Sequence, residues 1–134
     1  MSEVEKQRDR RAYKRGYMFE LTVRDRLEKA GFNVLRCSGS KPIDLIAISK
    51  AAHTMFVALI ECKIWNESYS QKMIIDEVKK LRETYGLDAI FVLKDAGGIA
   101  WFIAPVKSDI PEVYMYMLLR ALGTRHIIIG DSYA

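Results

Sequence analysis

Between Met55 and Ile64 the chain runs through ten residues of which only Glu61 and Lys63 are charged. Phe56, Val57, Leu59 and Ile60 favour a strand, and the run is far shorter than the ~20 apolar residues that span a bilayer. Side chains of a strand change face at every residue. Glu61 and Lys63 therefore point one way, and Ile60, Cys62 and Ile64 the other. Ser70–Tyr85 has helical spacing, with Ile74, Val78, Leu81 and Tyr85 on one face and Gly86 as its stop. A second apolar strand follows over Asp88–Leu93. A strand, a helix and a strand in this order make a crossover, which sets the two strands parallel. That unit constrains the chain most: it requires an α/β fold with helices packed on a sheet.

The remaining segments extend the same unit. A helix is expected over about residues 10–30, because Phe19, Val23, Leu27 and Ala30 recur at helical spacing and Gly31 can end it. Phe32–Cys37 is a short strand. The turn-rich loop Ser38-Gly39-Ser40-Lys41-Pro42 leads to a strand over Asp44–Ser49, and Lys50–Thr54 connects that strand to Met55. Asp95-Ala96-Gly97-Gly98 is a hairpin turn into a strand over Ile99–Ala104. Pro111 opens a third helix to about Leu122, and Ile127–Ile129 is a final short strand or a packed tail. The expected architecture is a central mixed five-stranded sheet flanked by helices, in one domain over residues 1–134.

Composition narrows the function. The net charge is +4. Residues 1–16 carry six basic side chains (Lys6, Arg8, Arg10, Arg11, Lys14, Arg15) against three acidic ones, whereas the rest of the chain holds 15 basic and 14 acidic. The domain is thus nearly neutral behind a basic N-terminal arm of about residues 1–16. Such an arm suits phosphate, with an affinity that falls with salt. The first 16 residues are too polar for a signal peptide, and Cys37 and Cys62 form neither a CxxC pair nor a zinc spacing. They read as free thiols of a reducing, cytoplasmic compartment, with no membrane partner.

The chemistry-bearing residues gather at strand ends. Asp44 opens the apolar Leu45-Ile46-Ala47-Ile48, while Glu61 and Lys63 close the next strand. If these strands pair antiparallel, the start of one lies beside the end of the other, and Asp44 meets Glu61 and Lys63. Two carboxylates and an ammonium supply hard oxygen ligands for Mg²⁺, with Mn²⁺ able to substitute, and a cation to stabilise developing charge. Phosphodiester hydrolysis needs this combination. A bare Glu-x-Lys is also a common exposed ion pair. Likewise Glu20, four residues before Arg24, is also the pattern of an exposed helical pair.

Pro42 with Asp44, then Glu61-Cys62-Lys63, resembles the PD-(D/E)xK nuclease core, with Ile43 between proline and aspartate. Gly16 and Glu20, the segment Gly31-Phe32-Asn33-Val34-Leu35-Arg36, the loop Ser38–Lys41 before Asp44-Leu45-Ile46-Ala47, and Trp101 with Pro105 are similar to the archaeal Holliday junction resolvases, cellular or viral. The resemblance covers about residues 12–106. It implies a restriction-endonuclease-like core that resolves four-way DNA junctions as a homodimer, in an archaeal cell or its virus, with no organic cofactor.

At matching positions the resemblance implies catalytic roles for Glu20, Ser40, Asp44, Glu61 and Lys63. Asp44 and Glu61 would be the metal ligands. It further implies that Arg36, and with it Lys41 and the basic arm (Arg8, Arg10, Arg11, Lys14, Arg15), hold DNA phosphate. Members often carry a polar residue in the helix after Glu-x-Lys, a place that Gln71, Asp76 or Glu77 can fill. Another nuclease of this superfamily, of repair or restriction type, would share the core, as would a junction-binding module without activity. Tyr114, Met115, Met117, Leu118 and Leu119 of the third helix, with the Ile99–Ala104 strand, offer apolar surface for a dimer, or close the core of one chain.

Overall fold

The computed structural model describes residues 2–37, 43–49, 55–64, 70–94, 102–103, 110–123 and 126–127. Three helices and six strands appear among them: α1 (Glu3–Lys29), β1 (Asn33–Arg36), β2 (Leu45–Ser49), β3 (Phe56–Ile64), α2 (Gln71–Tyr85), β4 (Asp88–Lys94), β5 (Phe102–Ile103), α3 (Glu112–Leu122) and β6 (His126–Ile127). The strands form one sheet in the order β1-β2-β3-β4-β5-β6. The mixed α/β class is as expected. The count exceeds the expected five because His126 and Ile127 pair parallel with β5. Of the two alternatives for the tail after α3, a final short strand or packing, the structure takes the strand, beginning one residue earlier at His126.

Register positions the site. β2 and β3 are antiparallel, with Leu45 opposite Ile60. β3 and β4 are parallel around α2, as the crossover requires. β1 pairs antiparallel with β2 and brings Arg36 opposite Leu45. The start of β2 and the ends of β1 and β3 therefore lie at one end of the sheet.

The two faces of the sheet bury different sets. On one, Phe19, Val23 and Leu27 of α1 and Tyr114, Leu118 and Leu122 of α3 pack with Leu45, Ala47, Ala58, Ile60, Cys62, Ile90 and Val92. Phe56 stacks on Tyr114, ring centroids 4.7 Å apart. On the other, Ile74, Ile75, Val78 and Leu81 of α2 cover Ile43, Leu59, Ala89, Phe91 and Leu93. The alternation of β3 thus reaches both cores, as a sheet buried on both faces demands. Tyr85, expected on the apolar face of α2, is 45% exposed, because that helix ends there at Gly86. Gly86 takes φ +68°, a left-handed cap that a side chain would strain.

α1 starts seven residues earlier than its apolar spacing indicates. Ser2 and Glu5 form a reciprocal capping box: Ser2 Oγ accepts from the Glu5 amide and a Glu5 carboxylate oxygen accepts from the Ser2 amide. The basic segment is consequently the leading half of α1, and helical from Glu3. Lys6, Arg8, Arg10, Arg11, Lys14 and Arg15 are all exposed. Two of the five α3 residues read as dimer surface, Tyr114 and Leu118, belong to this chain's own core, and Met115, Met117 and Leu119 pack against it.

Candidate active site

Asp44 stands one residue before β2, and its backbone continues the ladder. Its amide donates to the Ile60 carbonyl at 3.1 Å, and its carbonyl accepts from the Cys37 amide at 2.8 Å. This fixes the side chain between β1 and β3. Oδ2 accepts from the Cys62 amide at 2.7 Å, a short, charge-assisted bond. Cys62 serves through its backbone alone; its thiol is buried in the opposite core, and that burial pushes its pKa up.

Glu61 is 6% exposed, the most deeply buried acidic residue described. Its Oε1 lies 3.6 Å from Lys63 Nζ. Its Oε2 is buried without a hydrogen-bond partner among the described residues. Burial is the main reason its pKa rises to about 7, with the negative charges of Asp44 and Glu77 adding to it and Lys63 opposing. Burial also raises Asp44 to about 6; the Cys62 amide opposes, and the charge of Glu20 adds to it. Two neighbouring carboxyls that resist ionisation, one with an oxygen left over, are starved of positive charge.

Glu20 approaches from α1. It is not paired with Arg24, which reaches Glu28 instead at 3.7 Å. Glu20 Oε2 accepts from Arg36 Nε at 3.1 Å, and its carboxyl group is near enough to Asp44 to raise that residue's pKa. The Arg36 guanidinium lies over the Tyr17 ring, 4.5 Å from its centroid. Glu20 raises the Arg36 pKa further. Arg36, read from sequence as a phosphate ligand, is thus engaged within the free protein.

Of the three polar candidates on α2, Glu77 is the one beside the site. It lines a cleft of about 230 Å³ with Glu61, Lys63, Met73, Ile74 and Phe91, whereas Asp76 is exposed and the Gln71 side chain lies outside the described set. Ser40, Lys41 and Pro42 lie outside the described residues, as do Trp101 and Pro105. A larger groove of about 500 Å³ between α1 and α3 is lined by Arg26, Lys29, Tyr116 and Arg120 among others, and by none of these carboxylates.

Sequence spacing therefore anticipates the meeting of Asp44, Glu61 and Lys63, and the resemblance adds Glu20. Neither anticipates Tyr17 over Arg36 or the Cys62 amide on Asp44. A tyrosine one turn before Glu20 has no spacing signal unless the strand carrying Arg36 is already placed. The backbone donor follows only from the antiparallel register.

A family model described as the archaeal Holliday junction resolvase (Hjc) matches residues 11–109. This chain belongs to that family. Among relatives of the Hjc family, the crossover junction endodeoxyribonuclease Hjc of Methanocaldococcus jannaschii is 35% identical over 98 residues, covering 72% of this chain and 70% of the relative. The solved structure of the Hjc Holliday junction resolvase of Archaeoglobus fulgidus matches with a TM-score of 0.49 and 26% identity, over 68% of this chain and 72% of that one. All four gathered residues, Glu20, Asp44, Glu61 and Lys63, fall inside the Hjc match. The first turns of α1 to Arg10, and all of α3, fall outside it.

Proposed function

We propose that this chain is a structure-specific endodeoxyribonuclease that resolves four-way DNA junctions by metal-dependent phosphodiester hydrolysis, with its site built from Asp44, Glu61, Lys63 and Glu20. Membership of the Hjc family supports the activity. The observation that carries the chemistry is the buried, unpartnered Oε2 of Glu61 beside a second carboxylate of raised pKa.

The donor set fits a hard divalent cation. Both carboxylates offer oxygen, and both have pKa values raised chiefly by burial, with neighbouring negative charge adding to it. Among the described residues no three His, Cys, Asp or Glu side chains already form a metal cage. On this proposal Asp44 and Glu61 would be a two-carboxylate ligand set, which suits Mg²⁺ because that ion retains several waters and substrate oxygens. Bound there, Mg²⁺ or Mn²⁺ would offset phosphate charge and lower the pKa of a coordinated water.

The chain's own groups do the rest. The Cys62 amide and the Asp44 backbone hold one carboxylate at the strand end, so that it does not reorganise during the reaction. The Lys63 side chain is 46% exposed, its Nζ is 3.6 Å from Glu61, and it can reach an incoming phosphate oxygen and stabilise charge there. Glu20 orients the Asp44 carboxyl from the α1 side. Ser40 and Lys41 complete the phosphate contacts from the preceding loop.

The exposed cations of α1 (Arg8, Arg10, Arg11, Lys14, Arg15) grip the backbone without reading bases, and Arg36 contributes once its own pairing is shared with phosphate. The active species is a homodimer, because two symmetric nicks on a four-way junction suit a two-fold assembly. Sedimentation equilibrium at micromolar concentration tests this, and a monomer rejects it. No helix among the described residues is long and apolar enough to cross a membrane.

The activity is tested by incubating the protein with a labelled four-way junction and with linear duplex of the same sequence, each with Mg²⁺ or with EDTA. Paired nicks in the junction alone, and only with Mg²⁺, are expected. Equal cutting of linear duplex would instead indicate a repair- or restriction-type nuclease, and an inactive protein that still binds junctions would indicate a binding module.

A further inference from the structure

Tyr17 is one helical turn before Glu20, so the two side chains leave α1 on the same side. Both engage one group. Glu20 Oε2 accepts from Arg36 Nε at 3.1 Å, and the same guanidinium lies over the Tyr17 ring, its Cζ 4.5 Å from the ring centroid. These contacts do different things. A single hydrogen bond fixes one direction but leaves the guanidinium free to swing about it. A ring face fixes the plane of the guanidinium and leaves direction open. Together they hold Arg36 in one pose at the exposed end of β1.

The pose matters because of what Glu20 meets on its other side. Its charge acts on Asp44, at the centre of the candidate site, and the register of β1 sets Arg36 opposite Leu45, the residue after Asp44. Asp44 feels the negative charge of Glu20 on one side and of Glu61 on the other, and among the described residues the ion pairs to these carboxylates come from Lys63 and Arg36. If the guanidinium swings out, Glu20 loses its counter-charge beside a second carboxylate and turns toward water. We propose that Tyr17 is a positioning residue: it clamps Arg36 in the pose that holds Glu20 against Asp44. This rests on the nuclease reading given above. It assigns Tyr17, half-exposed on the outside of a basic helix, to the geometry of the site and not to stacking on DNA bases.

The test compares Tyr17→Ala, Tyr17→Phe and Tyr13→Ala. Tyr13 is four residues earlier and 74% exposed. Two readouts are used. One is single-turnover cleavage of a four-way junction with Mg²⁺, giving the rate at saturation and the half-saturating protein concentration separately. The other is the Nε–Hε resonance of Arg36 in a ¹⁵N-labelled free protein, which reports the bond to Glu20 without DNA or metal. Tyr17→Ala is expected to lower the saturating rate about tenfold, as small misplacements in a site do, with half-saturation changed less than about twofold, and to broaden away the Arg36 resonance. Tyr17→Phe keeps the ring and is expected to match wild type in both, as is Tyr13→Ala.

Three results overturn the proposal. They are an unchanged rate and resonance in Tyr17→Ala, a Tyr17→Phe as impaired as Tyr17→Ala, or a loss confined to half-saturation, which would make Tyr17 a DNA contact. A wild-type protein that cuts no junction overturns the nuclease reading by itself, and the resonance reports the clamp independently of it. Circular dichroism melts separate any loss of fold, and Arg36→Lys, which keeps charge but not the stacking plane, should lose the effect of Tyr17→Ala when the two are combined.

Discussion

Glu61 and Glu20 are the same residue type at one site, and their surroundings are opposite. Glu61 is on β3, buried, with one oxygen 3.6 Å from Lys63 and the other without a hydrogen-bond partner among the described residues. Glu20 is on α1, with an 18% exposed side chain, and is held by Arg36 and near enough to Asp44 to raise its pKa. The sheet end concentrates negative charge in a dry place with too few cations. The helix supplies a carboxylate already neutralised. On the proposed reading the difference separates two jobs: the strand carboxylates would hold the cation, and the helix carboxylate would orient Asp44.

The largest effect should come from breaking the strand side. Asp44→Ala is expected to reduce junction cleavage by at least about 10³-fold, the order seen when an electrostatic element of a site is removed. Junction affinity measured by gel shift in EDTA should change little. Cleavage within tenfold of wild type would remove Asp44 from the site.

The next prediction uses pH on the cation-free protein. Asp44 and Glu61 have folded pKa values of about 6 and about 7, above ordinary unfolded values of about 4. The folded state therefore binds protons more tightly. The stabilisation is full below about pH 4 and is lost as pH rises through 6 to 7. Thermal melts in EDTA should fall from pH 5 to pH 8. Glu61→Gln should flatten that slope and raise stability at pH 8 by on the order of 1–2 kcal/mol, allowing for solvent screening. A slope as steep in Glu61→Gln as in wild type would contradict the burial account.

A smaller effect is expected on the helix side, far from the carboxylates. Lys6, Arg8 and Arg10 precede the family match and are exposed on a capped helix. Replacing all three by Gln should reduce the slope of log affinity against log salt by about 1–3, without altering the saturating cleavage rate. An unchanged slope would separate these turns from DNA. The smallest effect belongs to the ion pair that Arg24 makes in place of the Glu20 pair its spacing suggests. Arg24 reaches Glu28 at 3.7 Å, both half-exposed. Arg24→Ala should cost under about 0.5 kcal/mol in chemical denaturation and leave cleavage untouched.

How legible all this is in the sequence differs between the same two regions. The strand side is readable because period-two alternation and an antiparallel register are local rules. They place Glu61 and Lys63 on one face and Asp44 alongside before any coordinates exist. The crossover likewise gives the parallel pairing of β3 with β4. The helix side is not readable that way. Glu20 alone resembles half of an exposed pair with Arg24, and its true partner is sixteen residues away on β1. The start of α1 is missed for a related reason: its first turns bury nothing, so no apolar spacing marks them, and only the Ser2–Glu5 cap does. The apolar residues of α3 cannot be divided between core and interface from composition. Packing decides, and Tyr114, Leu118 and Leu122 go to the core.

The central claim is that Asp44 and Glu61 are a cation site awaiting its ion. It is tested most directly by titrating Mn²⁺ into the DNA-free protein at pH 6.5 by calorimetry, in two buffers of different ionisation enthalpy. With carboxyls near pKa 6 and 7, binding should displace about one proton per site, because ligands must ionise to hold a metal. Asp44→Asn and Glu61→Gln should each abolish the heat. Binding without proton release, or binding that survives both substitutions, would contradict the account.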